Sequence, residues 1–456
     1  MNGFRSRSRI SGWVVPAACA LLLAALPLSA EEENGGFDFG LDLALGVESF
    51  NDITYQTVGL SPDIAIGKFG LGLDVTIHYR FQNNKLEILP ADWVPDPVSF
   101  SSIMSLYLGK LKYVRYGTKG DPFYAKFGSI EDGTLGNGFI LGSYANTLFL
   151  PERRIFGLGL DVDGALFNFP IVGLETFVAD LSAFDVFGGR LYVRPLVYTS
   201  IPLLKHLQIG GTVAVDLDPF RYVDAADLPT WQALGLDTAN ARVFAAGVDF
   251  RQPILDSAVV SLAAFGDLAT MQGKSLGGML GFGGRLVNIF TYGAQLRILG
   301  ENFVPVFFDA SYDISRAYRY ALIDPAVGSP AFTGWFASLG TSLLDDALVF
   351  FVNLDGPFKK LDSNPDNYLN YPHLVGVLSV AEGLIPGFSF DFTYDKSLIR
   401  TFADLIGPEG ALIRAQLNYH AGAAVISFFY QIRYAENDWG AEPEITSGLE
   451  TSIELF

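Results

Sequence analysis

The chain of 456 residues carries a single cysteine, Cys19, and only four histidines, His78, His206, His373 and His420. Cys19 lies in the apolar stretch Val14 to Leu26, which follows Arg5, Arg7 and Arg9 and precedes Leu28-Ser29-Ala30. Basic, then apolar, then small residues make the pattern of a secretory signal peptide over residues 1–30, cleaved before Glu31. Cys19 follows Ala17-Ala18 as in a lipoprotein box, but apolar residues continue to Leu26 and place it inside the apolar region. A mature chain starting at Glu31 then has no cysteine, which excludes disulfides, thiol catalysis and cysteine-ligated metal.

Positive charge is also scarce. Thirty Lys and Arg face 49 Asp and Glu, a net charge of −19, and loss of the three leader arginines takes it to −22. That balance argues against nucleic acid or anionic lipid as a partner. Long apolar runs are missing as well. Past the leader the longest uncharged one, Ala421 to Tyr430, has about ten residues, roughly half of what a membrane-crossing helix needs. Yet 50% of the residues are hydrophobic, only 17% are charged, and mean hydropathy is +0.30. Only helices and closed barrels satisfy every backbone group inside hydrocarbon, so a membrane chain without spanning helices must be a barrel. A soluble solenoid or propeller is disfavoured because no repeat of the needed period is visible.

The pattern that is present has period two. Phe37, Phe39, Leu41, Leu43, Leu45 and Val47 alternate with Gly36, Asp38, Gly40, Asp42, Ala44 and Gly46, and Phe69 to Phe81 puts Asp74, Thr76, His78 and Arg80 on one side. The same alternation covers Leu158 to Asp163, Leu207 to Leu217, Val306 to Tyr312 with Asp309 and Asp313 opposed, and Phe388 to Tyr394. Near the end, Arg414, Gln416, Asn418 and His420 oppose Ile413, Ala415, Leu417 and Tyr419, and Ser427, Gln431 and Arg433 oppose Ile426 to Tyr434. Apolar faces so rich in Phe, Leu and Tyr would overfill one soluble core.

Ser61-Pro62-Asp63, Gly67-Lys68, Pro170, Asp256-Ser257, Asp345-Asp346 and Ile385-Pro386-Gly387 have the composition of tight turns. Asn83 to Phe100, Val223 to Ala241, Tyr318 to Gly334 and Gly356 to Pro372 are longer and polar or proline-rich. Short turns at one end and long loops at the other are the asymmetry of bacterial barrels. The expected fold is all-β: residues 31–456 form a transmembrane antiparallel barrel of about 18 strands, within a range of about 16 to 20, enclosing water.

The leader, the repeated amphipathic strands and the final segment Gly448 to Phe456 resemble bacterial outer-membrane barrels of the porin-like kind, and the Phe-rich, acidic style is similar to large barrels of spirochaetes. The resemblance implies residence in the cell outer membrane of a Gram-negative-type bacterium. It also implies that Phe456 contributes to the signal read by the barrel-assembly machinery. One departure is that Leu449, Ile453 and Leu455 stand on the opposite parity to Phe456.

No catalytic arrangement emerges. None of the four histidines has Ser two residues later or Asp two residues earlier, so none resembles the pairings of lipase-like or protease-like barrels. No two histidines share a ligand spacing, and Asp161-Val162-Asp163 and Asp216-Leu217-Asp218 are weak candidates for calcium beside the plainer reading of solvated charges. No metal, cofactor or enzymatic activity is expected. The segment TLGNGFILG lacks the lysine and strand-to-helix context of a phosphate loop.

The rhythm breaks at Gly128 to Gly159, where glycines cluster between Gly133 and Gly142 and Tyr144 to Leu150 could form one helical turn. Residues 129–153 are a candidate loop folded into the lumen to narrow it, with an ordinary surface loop or a lost hairpin as alternatives. Arg153 and Arg154 could then oppose Asp161 and Asp163 across the pore. By strand parity Arg80, Asp161, Asp163, Arg190, Arg194, Arg414 and Arg433 join Arg153 and Arg154 as candidate pore-lining residues, each dependent on register. The chain reads as a channel for passive diffusion of small polar solutes, with outer-membrane lipid, the assembly machinery and those solutes as partners, and oligomerisation left open. Alternatives are a fatty-acid-type transporter of hydrophobic substrates, or a structural or adhesive barrel acting through its loops.

Overall fold

The computed structural model describes residues 37–454 except 51–52, 83–84, 96, 150–153, 202, 258, 288, 345–346, 366, 408–409, 422–423 and 434–443. The leader and Phe456 therefore lie outside the described residues, as does Arg153. Within them, twenty-two strands form one sheet, from Phe37–Phe50 to Glu444–Glu454. Every pairing is antiparallel, and the first strand meets the last through Asp42↔Glu454, Leu43↔Ile453 and Ala44↔Ser452. The sheet thus closes on itself and leaves no free edge.

Two spans are broken. Strands Phe69–Leu73 and Val75–Gln82 pair successively with Ile53–Ile66, so they are one span. Lys85–Ile88 and Leu111–Tyr116 pair with those two pieces in turn and form a second span, interrupted by residues 89–110. Counted this way the barrel has twenty spans, an even number at the top of the expected range and two above its centre. The register explains the first break. Leu60 pairs with Val75 and Asp63 with Gly72, which sets Pro62 opposite Leu73, and a proline has no N–H to donate there. Ser61-Pro62-Asp63, expected as a turn, is therefore the interior of a long strand.

The interruption at 89–110 contains helix α1 (Phe100–Leu108) and is stitched to the wall at both ends. Asp74 N–H donates to the Lys110 carbonyl at 2.8 Å, and Leu89 N–H to the His78 carbonyl at 2.9 Å. The buried Asp92 accepts from the His78 backbone N–H at 2.8 Å and lies 2.9 Å from its Nδ1.

Alternation sorts the side chains by face. On Val186–Val193, Arg190 is 2% exposed whereas Leu191 is 57% exposed, and on Ser261–Met271 the outward Leu268 is 56% exposed. Val213, Val248, Leu280, Ile298, Leu339 and Leu449 carry the same exposed apolar face around the barrel. A continuous apolar belt of this extent belongs in hydrocarbon, and the barrel is transmembrane.

Following the chain from span to span places the short connections 67–68, 257–260, 287–289, 344–347 and 386–387 at one end. Connections 129–156, 217–242, 300–331, 358–372 and 397–410 lie at the other. Three of these long ones return into the barrel. Ile130, Leu135, Phe139, Leu141 and Tyr144 of the first, Phe220 and Leu236 of the second, and Phe303, Phe307 and Phe308 of the third join one buried cluster. Its wall side is Phe177, Val186, Ala214, Val243, Ala269 and Met271, all on inward positions. Where inward positions are Ala, Val or Met there is room and apolar surface for loops to pack, so part of this barrel holds a core instead of water.

The third connection also corrects an expected strand. Val306 to Tyr312 alternates in sequence, but the Asp309 carboxylate accepts the Ser311 N–H at 2.8 Å, and a turn there opens into helix α3 (Tyr312–Ile323), after the short α2 (Leu228–Ala233). The buried set Tyr312, Asp313, Arg316, Ala317, Tyr320 and Ala321 follows helical spacing, with Ile314 and Tyr318 exposed.

Candidate functional site: the barrel lumen

The loop after the strand Phe123–Gly128 is held by backbone and side-chain bonds together. Gly133 and Tyr144 exchange N–H···O bonds of 2.8 and 2.9 Å, and Leu135 N–H donates to the Leu141 carbonyl at 3.0 Å. Tyr144 is paired in this narrow hairpin, and Leu148 and Phe149 lie in a turn, with Leu150 outside the described residues. Val306 N–H donates to the Phe139 carbonyl at 2.7 Å and Gly142 N–H to the Phe308 carbonyl at 3.0 Å, which joins two of the returning loops. The buried Asn146 accepts the Ile130 N–H at 2.8 Å and donates to the Ala179 carbonyl at 2.9 Å.

The tip of this loop touches inward side chains of the wall. Gly136 N–H donates to Glu175 Oε2 at 2.9 Å, and Asn137 Nδ2 donates to Asp267 Oδ2 at 2.9 Å and to the Phe250 carbonyl at 3.1 Å. Glycine is required at 136: φ is +59°, and a Cβ would stand 2.9 Å from Arg190 Nε. Beneath it Arg190 holds Asp249 bidentately, at 2.8 and 2.5 Å, and Glu175 at 2.9 Å.

A second charge cluster fastens the loops from behind. Arg316 Nη1 donates to Asp185 Oδ2 at 2.6 Å and Nη2 to Asp313 Oδ1 at 2.7 Å, and Asp216 lies 3.8 Å away. Tyr144 Oη donates to Asp313 at 2.9 Å, and Tyr312 Oη donates to Asp216 at 2.6 Å. Burial pushes the Asp313 carboxyl above the usual carboxylate range. It works against the Arg316 charge, but Asp313, Asp216 and Asp185 outweigh it and hold the guanidinium above its ordinary value. Burial likewise raises the Tyr144 and Tyr312 hydroxyls well above theirs, so both remain donors.

The remaining luminal wall is open. From Leu348–Pro357 round to Glu444–Glu454, inward Asp391, Arg414, Gln416 and Thr446 are exposed. Arg414 Nε donates to Gln431 at 2.8 Å, Ser379 Oγ donates to Asp391 at 2.5 Å, and His373 stands between Asp395 at 2.8 Å and Asp355 at 3.4 Å.

The residues expected to line a pore fall in different places. Arg80 is inward and pairs with Glu87 at 2.7 Å. Arg414 is inward and open, and Arg433 shares the Gln431 side of its strand by ladder position. Arg190 is inward but covered by the loop tip. Arg154 does not oppose Asp161 or Asp163: it binds Asp74 and, at 3.0 Å, Ser129 Oγ. Asp163 instead receives both Arg194 nitrogens, at 3.0 and 2.6 Å, and Asp161 lies 3.7 Å from Lys119. The physical reason is length: nine residues of extended chain separate Arg154 from Asp163, about 30 Å, so they sit near opposite ends of the wall. Asp163 is engaged by Arg194 and Asp216 by the Tyr312 hydroxyl, whereas Asp161 has only the Lys119 ammonium at 3.7 Å and no hydrogen-bond partner for its buried Oδ1; no group of three or more possible metal ligands occurs among the described residues. Arg316 and Asp185 escaped the sequence reading, and Asp313 was read there only as the polar side of a strand; the trace of the Arg316–Asp313 pair was their spacing of three inside YDISRAYRY, a helical signal masked by the alternation just before it.

No protein-family model matches the sequence, and no curated protein does. Solved structures similar in chain path include OprD from Pseudomonas aeruginosa, 11% identical over 93% of this chain and 95% of that one, with a TM-score of 0.32. OccK11 (OpdR) from Pseudomonas aeruginosa is 12% identical over 94% of this chain and all of that one, with a TM-score of 0.33. CdiB from Acinetobacter baumannii is 9% identical over 91% of this chain, which spans 60% of its length, with a TM-score of 0.28. The barrel assignment rests on the strand pairing itself.

Proposed function

We infer that this chain is an outer-membrane channel for passive diffusion of small polar solutes, conducting along the side of the lumen that the returning loops leave open. The observation that carries this reading is the exposure of inward polar and charged side chains there, Asp391, Arg414 and Gln416 among them, beside a loop assembly that fills the rest. A lumen lined in this way holds water, and polar donors and acceptors along a water-filled path suit hydrated solutes. Residues 129–149 act as the narrowing element, and Arg80, Arg414 and Arg433 line the path. Arg190 and Arg194, with Asp161 and Asp163, support its wall, and Arg154 anchors the loop's return. Export by the leader 1–30 and assembly through Phe456 complete the reading, with the long connections outside the cell.

The test is planar-bilayer recording of the refolded mature protein, after a boiling-dependent mobility shift on SDS gels has verified the closed barrel. Steady single-channel currents, and swelling of liposomes in small neutral sugars, are the expected results. A heat-modifiable barrel that passes neither ions nor sugars would sink the channel reading and leave a structural or adhesive barrel.

A further inference from the structure

The wall is uneven in height. Strands Phe37–Phe50, Ile53–Ile66 and Val243–Asp256 have fourteen residues each, whereas Leu111–Tyr116 and Phe123–Gly128 have six, and Gly157–Asp163 and Val172–Val178 have seven. A strand that crosses hydrocarbon takes about nine to eleven. Register locates the deficit at the long-connection end. Tyr113 pairs with Gly128 and Gly128 with Gly157, and beyond that rung Phe123–Gly128 and Gly157–Asp163 have no further residues. Gly72 stands opposite Tyr113, and from there the neighbouring span continues ten residues to Gln82. Lys85–Ile88 lines only the end of that stretch, and its other edge has no strand partner among the described residues. One side of the barrel therefore has a notch, and an open strand edge there would leave backbone groups unpaired in hydrocarbon.

Residues 89–110 stand in this notch. Leu89 N–H donates to the His78 carbonyl and the Lys110 carbonyl accepts from Asp74 N–H, so the segment starts and ends against one stretch of the same wall span. Its polar ties run to the lumen side: Asp92 lies 2.9 Å from Nδ1 of the inward His78, and Leu108 and Gly109 border a cavity of about 400 Å³ together with Arg154, Asp180 and Arg221. The face left open is apolar. Along α1, Phe100 is 80% exposed, Ile103 38% and Tyr107 50%, a spacing of three and four that puts all three on one side of the helix. Val94 and Val98 just before it are exposed, as are Phe81 and Leu86, which pair on the outward face at the top of the adjoining wall. A helix in water exposes its polar side, so an open stripe of this kind, next to a lipid-facing belt, is a continuation of that belt.

We propose that α1 is a membrane-lying helix that closes the notch, with its Phe100, Ile103 and Tyr107 face set against the acyl chains of the leaflet at the long-connection end. Nine residues, about 13 Å, cannot cross the bilayer, but they cover the ends of two or three strands at a spacing of about 4.8 Å. The helix seals the lumen from the bilayer where the strands stop short, and it does so whether or not the barrel conducts.

From Glu31 onward the chain has no cysteine, so single-cysteine variants carry one nitroxide each. Phe100→Cys and Ile103→Cys, spin-labelled and folded into phosphatidylcholine vesicles, are compared with Leu191→Cys on the lipid-facing wall and with Lys359→Cys, exposed in the connection 358–372. Collisions with oxygen outnumber those with a water-soluble nickel chelate in hydrocarbon, and the order reverses in water. Both α1 sites are expected to share the oxygen excess of Leu191 and to oppose Lys359. A nickel excess at either site places the stripe in water and overturns the proposal; spin–spin broadening at Phe100 that grows with the protein-to-lipid ratio puts a second copy there instead and overturns it too. Each variant is first checked for its boiling-dependent gel shift, and if one fails to fold, Val98→Cys takes its place under the same criterion.

Discussion

The two sides of the lumen are built on the same wall and meet opposite fates. On one, inward Thr212, Ala214, Asp249 and Met271 are buried under returning loops; on the other, inward Asp391, Arg414 and Gln416 face open space. The covered side offers small and apolar inward residues with a few carboxylates, onto which an arginine and two tyrosines can dock. The open side offers polar residues that satisfy one another within the wall, as Arg414 does with Gln431 and Ser379 with Asp391. Inward polarity alone does not make a pore: Arg190 and Arg414 hold the same orientation, and only the second is left in open space. The lesson is that a luminal arginine is a solute contact only where nothing else in the chain has claimed it.

If that contrast is right, its strongest test is Arg316→Ala. Removing the guanidinium strands Asp185, Asp216 and Asp313 without their common partner, a loss of about 3 to 5 kcal/mol for a buried pair broken on one side. Because the wall's own ladders are untouched, the boiling-dependent gel shift should persist while the returning loops loosen, seen as raised and noisier single-channel conductance and faster proteolysis within 300–331. Unchanged conductance and proteolysis would show that the cluster does not fasten the loops.

A smaller effect is expected from Asn146→Ala, which leaves the Ile130 N–H and the Ala179 carbonyl unsatisfied in a buried place at a cost of about 1 to 3 kcal/mol. Hydrogen exchange should rise at residues 129–149 and stay constant at the strands of the open side; a uniform rise would deny that the loop is a separate unit.

Smaller again is a pH effect with a definite sign. Asp313 is held above the ordinary carboxylate range by burial, so the packed state binds its proton more tightly than the unpacked one. Its contribution therefore favours packing at low pH and is lost as pH rises from the ordinary carboxylate value of about 4 through the raised one. Acidification from neutral should leave the returning loops packed as tightly or more so, with conductance no higher, and Asp313→Asn should flatten that dependence. Opening on mild acidification would contradict the burial argument.

Least disruptive should be Arg414→Gln on the open side. An exposed residue bonded to one glutamine costs within about 0.5 kcal/mol on replacement, yet it removes a charge from the path. Stability should be unchanged and the cation-to-anion permeability ratio should rise; a stability loss comparable to that of Asn146→Ala would erase the distinction between the two sides.

Much of the wall was legible beforehand because alternation is a property of the backbone itself. Asp74, Thr76, His78 and Arg80 share the inward face as their spacing implies, and Arg414, Gln416 and Asn418 do likewise. Two local signals misled. Ser61-Pro62-Asp63 has turn composition, yet lies inside a strand, because Pro62 costs only the ladder bond opposite Leu73. Val306 to Tyr312 has strand alternation, yet the Asp309 turn and the apolar cluster around Phe307 and Phe308 draw it into the lumen.

The sequence by itself determined that this chain closes into a membrane barrel and which side chains turn inward, since both follow from a period of two along each strand. The tertiary structure alone decided which inward residues are covered. Contacts such as Asn137 to Asp267 and Arg316 to Asp185 join positions more than a hundred residues apart, and no local pattern records a pairing that exists only once the barrel has brought its walls and loops together.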